Sequence, residues 1–133
     1  MTKLKAHIVS RGKAEGDAMV TSQSISFLGS VDPATGIVIE KGHELAGKSI
    51  KGKVLVFPSG KGSTVGSYVI YQLKKNRAAP CAMINIRTEP IVAVGAIISG
   101  IPLVDRVEKD PVATIKNGDK VLVDAIVGSV EIL

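Results

Sequence analysis

The chain has 133 residues, with 17 Lys+Arg against 12 Asp+Glu for a net charge of +5, one Cys, no Trp, two Tyr and two Phe. The length fits one domain spanning residues 1–133, and a hydrophobic content of 45% excludes a disordered chain. With so few rings, the core is expected to be aliphatic and β-rich.

The charge is mild and the lysines are scattered. Nucleic-acid binders cluster their cations and offer stacking rings, so no nucleic-acid partner is expected. Small anions or an acidic protein surface fit the balance better. One cysteine excludes an internal disulfide, and it excludes a cysteine-ligated iron–sulfur cluster held by this chain alone. No basic-then-apolar leader opens the sequence. No apolar run approaches the roughly 18 residues of a membrane span. A cytoplasmic protein is expected.

In chain order, Lys5 to Val9 reads as a strand, Arg11 to Gly16 as a turn, and Asp17 to Ser22 as a second strand. Ser26 to Gly29 is short and apolar. Ser30 to Gly36 is a turn by composition, with Asp32, Pro33 and Gly36 at the corners. Ile37 to Glu40 reads as a strand. Lys53 to Phe57 is a continuous apolar run, as in a buried strand. Ser63 to Lys75 has helical spacing at Val65, Val69, Ile70 and Leu73, with Lys74, Lys75 and Arg77 near its end. Ala82 to Ile86 is a strand. Glu89 to Ser99 is a helix with Pro90 early and Gly100 as its stop. Leu103 to Asp105 is a short strand. Val121 to Asp124 and Gly128 to Ile132 close the chain as strands. The order β-rich, β-α-β-α-β, β-rich predicts an α/β domain with a partly parallel sheet.

Three segments could carry chemistry. The first runs Pro58-Ser59-Gly60-Lys61-Gly62-Ser63-Thr64-Val65-Gly66-Ser67-Tyr68, between a buried strand and a helix. Its glycines allow tight turning and close approach of a ligand. A helix start favours an anion. The same hydroxyls also suit a plain helix cap. The segment is neither known phosphate loop. The Walker pattern needs a glycine where Phe57 stands, and the dinucleotide pattern needs one at Val65. The second runs from Ser26 to Gly36, where Asp32 and Thr35 either close a turn or line a pocket. The third is Ser10-Arg11-Gly12-Lys13-Ala14-Glu15-Gly16, whose Arg11 could grip a carboxylate or phosphate bidentately. His7 and His43 stand far apart with no cysteine near, so no metal site is expected. Cys81 reads as an inert buried thiol.

Together, in this order and across nearly the whole chain, these segments resemble the small subunit of the aconitase X group. The resemblance implies a compact swivelling β/β/α fold and a heterodimer with a large catalytic subunit. It places a 4Fe-4S cluster on that partner. It implies a hydro-lyase that dehydrates (R)-5-phosphomevalonate to trans-anhydromevalonate 5-phosphate in an archaeal mevalonate route to isoprenoids. Relatives in the group act on hydroxyproline instead. The family's proton-accepting serine falls on Ser63. Only Ser63 comes from the family pattern; from their charge and their place in the glycine segments, Lys61, Gly62, Thr64 and Arg11 are expected to position the substrate's anionic groups. A carrier domain of the same fold would place a histidine near this loop, where Ser63 and Thr64 stand. A non-catalytic module binding an anionic metabolite is the remaining alternative.

Overall fold

Valine is the commonest residue of the strands, and the alternation of side chains along them sets the architecture. The computed structural model describes residues 1–133. The strands are β1 (Thr2–Lys5), β2 (His7–Ser10), β3 (Lys13–Val20), β4 (Val54–Phe57), β5 (Ala82–Asn85), β6 (Leu103–Asp105), β7 (Lys120–Asp124) and β8 (Ser129–Ile132). The helices are α1 (Phe27–Ser30), α2 (Gly66–Lys75), α3 (Pro90–Ser99) and α4 (Pro111–Thr114). α1 is one distorted turn, with Leu28 and Gly29 outside helical dihedrals.

The eight strands form one sheet in the order β1-β8-β7-β3-β4-β5-β6-β2. β3, β4, β5 and β6 run parallel, and the other neighbours are antiparallel. β3 serves both halves: Lys13–Asp17 pair with β7, and Ala18–Val20 pair with β4. The strands at the two ends of the order, β1 and β2, are separated only by Ala6, whose N–H donates to Gly128 O at 3.0 Å. The sheet therefore curls until one stretch of chain links its edges.

Side chains alternate across a strand, so the curled sheet has two cores. Val54, Val56, Ala82, Ile84, Val104, Val121, Val123 and Val130 fill the inner face with small, branched groups. Leu55, Phe57, Met83 and Leu103 point outward, beneath α2, α3 and the 25–50 segment. Phe27 meets Phe57 edge-on, with ring centroids 6.0 Å apart at 67°. Such a pair adds about 0.5–1.5 kcal/mol beyond its buried area. It also pins the Ser26–Gly36 segment to the carboxyl end of β4.

Several elements differ from the sequence-based expectation. Lys5 to Val9 is not one strand but parts of two, broken at Ala6. Arg11 to Gly16 is not a turn: β3 begins at Lys13. Ile37 to Glu40 forms only isolated bridges, Val31 to Val38 and Ile37 to Ser49. The first long helix begins at Gly66, after a turn through Ser63.

Candidate functional site

Strand β4 ends at Phe57, and the chain then climbs over the carboxyl ends of the parallel strands. The Ile25 N–H donates to Ser59 O at 3.2 Å, and the Lys61 N–H donates to Ile25 O at 3.1 Å. This parallel bridge between Ile25 and Gly60 fixes the loop against the second motif. Gly60 leaves no room for a side chain, because Glu89 and Val92 of the α3 start occupy that space. Gly62 has φ +91°, and a Cβ there would strike the Ser26 hydroxyl. Both glycines are thus set by crowding, and Gly62 by its dihedral as well.

Ser63 stands exposed at the crest. Its Oγ accepts from the Val65 N–H at 3.2 Å, and its carbonyl accepts from the Gly66 N–H at 2.9 Å. Thr64 O accepts both the N–H and the hydroxyl of Ser67, at 3.2 and 2.9 Å. The first helical amides are therefore spent on this turn. The amides left without an acceptor in the chain are those of Gly62, Ser63 and Thr64. Three consecutive amides on exposed residues, without an acceptor and just before a helix, suit an anion. They replace the helix-start amides expected from the spacing.

Lys61 is exposed and lies close enough to Glu40 to lower its pKa. The larger cause is the Ser30 hydroxyl, which donates to the Glu40 carboxylate, and His43 adds a smaller pull. Lys61 thus has a carboxylate neighbour that the sequence did not suggest.

Arg11 is not brought to this loop. Ser10 pairs with Leu103 at the amino end of β6, and Gly12 packs on Pro102. Arg11 is exposed at the end of the parallel strands opposite Ser63. Asp32 and Thr35 face each other and not a pocket. The Thr35 hydroxyl donates to Asp32 at 3.0 Å, and the Ala34 N–H donates to Asp32 Oδ1 at 3.0 Å.

Two groups at the same rim escaped the sequence reading. The Glu89 carboxylate caps α3, accepting from Ile91 N–H at 2.9 Å and Val92 N–H at 2.8 Å. Asp105, buried at the carboxyl end of β6, bonds the His7 ring at 2.8 Å. The early Pro90 marks the helix start in the sequence, but glutamate is not among the usual cap residues, so the Glu89 cap was not readable. His7 and Asp105 are 98 positions apart, and no local pattern joins them.

Open clefts flank the crest. One of about 240 Å³ is lined by Thr64, Ser67, Pro90, Ile91 and Val94. Another of about 410 Å³ is lined by Pro58, Ser59, Ile86, Arg87, Thr88 and Glu89. A third, of about 300 Å³, lies at the opposite end and includes Lys51, Lys74, Arg77 and Cys81.

No three His, Cys, Asp or Glu side chains are grouped to hold a metal ion. The lone thiol does not fit an iron–sulfur cluster. Cys81 lies away from the crest, and burial raises its pKa, which disfavours the thiolate a metal would need.

Residues 3–132 match the family described as the aconitase X swivel domain. The phosphomevalonate dehydratase small subunit of Methanosarcina mazei is 68% identical over 131 residues, covering 98% of this chain and 91% of that protein. The protein of the same name from Thermococcus kodakarensis is 58% identical, covering 98% and 96%. A crystal structure of Thermococcus kodakaraensis aconitase X in its holo form superposes with a TM-score of 0.95 at 57% identity, covering 100% of this chain and 99% of that one. A solution NMR structure of a UPF0107 protein gives a TM-score of 0.90 at 50% identity, covering 99% of each chain. A family match across nearly every residue, with the same fold in solved relatives, leads to one conclusion: this chain belongs to the aconitase X swivel-domain family.

Proposed function

We propose that the chain is the small subunit of a two-chain hydro-lyase. The reaction dehydrates (R)-5-phosphomevalonate to trans-anhydromevalonate 5-phosphate, and Ser63 accepts the proton. The relatives' name supplies the substrate. One observation carries the site: an exposed Ser63 hydroxyl among three amides, Gly62 to Thr64, that have no acceptor in the chain.

The dehydration removes a proton from the carbon beside the carboxylate and a hydroxide from the next carbon. A double bond forms between them, and proton and hydroxide leave as water. A serine is a weak base unless its alkoxide is stabilised. Amides that point at developing negative charge supply that stabilisation without reorganising. The amino end of α2 adds its dipole, and Lys61 adds a cation. Gly62 and Thr64 then hold an anionic group of the substrate through their amides. Arg11, at the other end of the strands, has no part at this crest.

The larger partner contributes the remaining groups, including the 4Fe-4S cluster. Such a cluster supplies a Lewis acid for the departing hydroxyl. The surface beside Ser63 supports a partner there. Ile91 and Val94 line the cleft that Thr64 and Ser67 share, and α3 carries no charged residue. Val94, Ile97 and Ile98 remain about half exposed, at 48%, 57% and 55%. A helix apolar on all sides is normally covered.

Co-expression with a candidate large subunit, followed by an anaerobic dehydration assay, tests the reading. Activity that needs both chains and collapses in Ser63→Ala supports it. A stable complex that ignores phosphomevalonate moves the substrate to another hydroxy acid. Full activity in Ser63→Ala removes the base assignment.

A further inference from the structure

Beyond Ser63, the carboxyl rim of the parallel strands holds a second constructed site. Asp105 ends β6 and shares a face with Leu103, the face that carries the helices. It is 3% exposed, and both of its oxygens are engaged. Oδ1 bonds His7 Nδ1 at 2.8 Å, and Oδ2 accepts the Thr88 N–H at 2.9 Å. An ionised carboxylate only accepts, so His7 Nδ1 carries the hydrogen. The other ring nitrogen, Nε2, then faces outward without a partner in the chain, on a side chain that is 55% exposed. A buried carboxylate that orients an exposed imidazole through one nitrogen leaves the second free for a ligand.

Two arginines bracket this pair. Arg106 follows Asp105, and its N–H donates to Ile86 O at 3.1 Å. Arg87 lies between Ile86 and Thr88, the two residues bonded to the Asp105–Arg106 segment. These two links, one to the Asp105 carboxylate and one between backbones, hold the backbones of both arginines beside the His7–Asp105 pair. Arg106 is held at φ +46°, a strained value for a side chain of its size. Both arginines are exposed, and neither forms an ion pair within the chain. Arg87 and Thr88 also line the cleft of about 410 Å³, which reaches back to Ser59 on the Ser63 loop. The Thr88 hydroxyl is buried and has no hydrogen-bond partner. Glu89 is the one carboxylate in that cleft, and its charge is committed to the α3 amides.

We propose that His7, Arg87 and Arg106 form a binding site for a phosphomonoester group, with Asp105 as the residue that positions His7. The cations are unpaired, the imidazole is oriented, and guanidinium groups match phosphate oxygens bidentately. The site lies on the same strand ends as Ser63, across β5 and β6, and the cleft at Arg87 and Thr88 runs on to Ser59 of the Ser63 loop. It deepens the proposed function by assigning the substrate's phosphate to this rim and its reacting end to Ser63.

The test titrates inorganic phosphate into the 15N-labelled full chain and reads the His7 ring nitrogens and the Thr88 and Arg106 amides. Saturable shifts centred on these groups are expected. Arg106→Gln and His7→Gln should each weaken the response by about tenfold or more, and Ser63→Ala should leave it unchanged. In the two-chain enzyme, Arg106→Gln should raise KM for the phosphorylated substrate by a similar factor with kcat nearly constant. A merely structural strap between β2 and β6 would move neither the phosphate response nor KM. The absence of saturable shifts at the rim, or shifts confined to Gly62–Thr64, overturns the proposal. That result leaves the Ser63 assignment standing if Ser63→Ala still abolishes dehydration. Phosphate binding at the rim with no dehydration in any complex keeps this site and removes the enzymatic reading.

Discussion

Gly62 and Ser26 come from different motifs and meet back to back. The space where a Gly62 side chain would stand is filled by the Ser26 hydroxyl, and Gly62 itself has φ +91°. The neighbouring bridge between Ile25 and Gly60 makes the two loops one unit. Gly62→Ala is therefore expected to lower stability by about 1–3 kcal/mol, through backbone strain together with the clash. Gly29→Ala is the control. Gly29 has the same φ of +91°, but nothing lies within 4 Å of its missing Cβ. Its loss should be confined to the strain, about 1–2 kcal/mol. Denaturant midpoints of both variants settle this, and equal losses would show that the contact with Ser26 contributes nothing.

Ser63 makes only one side-chain hydrogen bond, from the Val65 N–H, and it is exposed. Ser63→Ala should leave the melting temperature of the isolated chain within a few degrees, since an exposed substitution changes stability by about 0.5 kcal/mol or less. Turnover of the reconstituted complex should fall by about 10²–10⁴-fold, the usual contribution of a positioned base. A fall of that size in kcat with KM retained separates a proton-transfer role from a binding role.

Much of this could be read from the residues, and the failures have physical causes. Val54–Phe57, Ala82–Asn85 and the α3 helix were legible because burial and capping leave local marks: continuous apolar runs, Pro90 at the start, Gly100 at φ +67° after the end. The glycines of Arg11–Gly16 misled because they suggest a turn. Gly16 actually lies in a strand, where a Cβ would meet Cys81 Sγ at 2.9 Å and Gly52 O at 3.1 Å. Close approach, not turning, demands that glycine. The Ser63 loop was legible as a motif, but the identity of its free amides was not. That depended on which carbonyls the turn through Ser63 and Thr64 consumes. The position of Arg11 and the His7–Asp105 pair depended on strand order, which no local spacing encodes.

Acid should loosen the 20–45 region before the curled sheet. The Thr21 hydroxyl donates to the Glu44 carboxylate, the Ser22 N–H adds a bond at 2.6 Å, and its pKa is lowered for those reasons. A carboxylate with a depressed pKa in the folded chain contributes stability that is fully present above its unfolded value. That contribution is lost as pH falls through the folded value. The loss therefore begins as pH falls to the ordinary glutamate value of about 4.3, where the unfolded chain takes up its proton, and is complete only below the depressed folded value. Glu44→Gln should be less stable than the parent at neutral pH, and the gap should close as the parent protonates. Urea midpoints measured from neutral pH down to the acid limit of folding check both the sign and the window. A gap that widens on acidification would contradict the depressed pKa.

The apolar face of α3 offers the sharpest separation between folding and assembly. Ile97 and Ile98 are 57% and 55% exposed, so charging them removes little buried surface. Ile97→Lys and Ile98→Lys should each leave the isolated chain stable to within about 0.5 kcal/mol. If this face seats the larger partner, each lysine must be desolvated without a counter-charge in an apolar contact. Affinity for the partner should then fall by about tenfold or more, because residues central to an interface contribute upwards of about 1 kcal/mol apiece. Lys48→Glu, an exposed change on the loop after Leu45, serves as the comparison. Calorimetric titration of the two purified subunits reads all three. Losses confined to Ile97 and Ile98 place the partner on α3. Dehydration by the complex should fall in parallel at limiting partner concentration and recover at saturation, because these side chains act on docking and do not touch the reacting atoms.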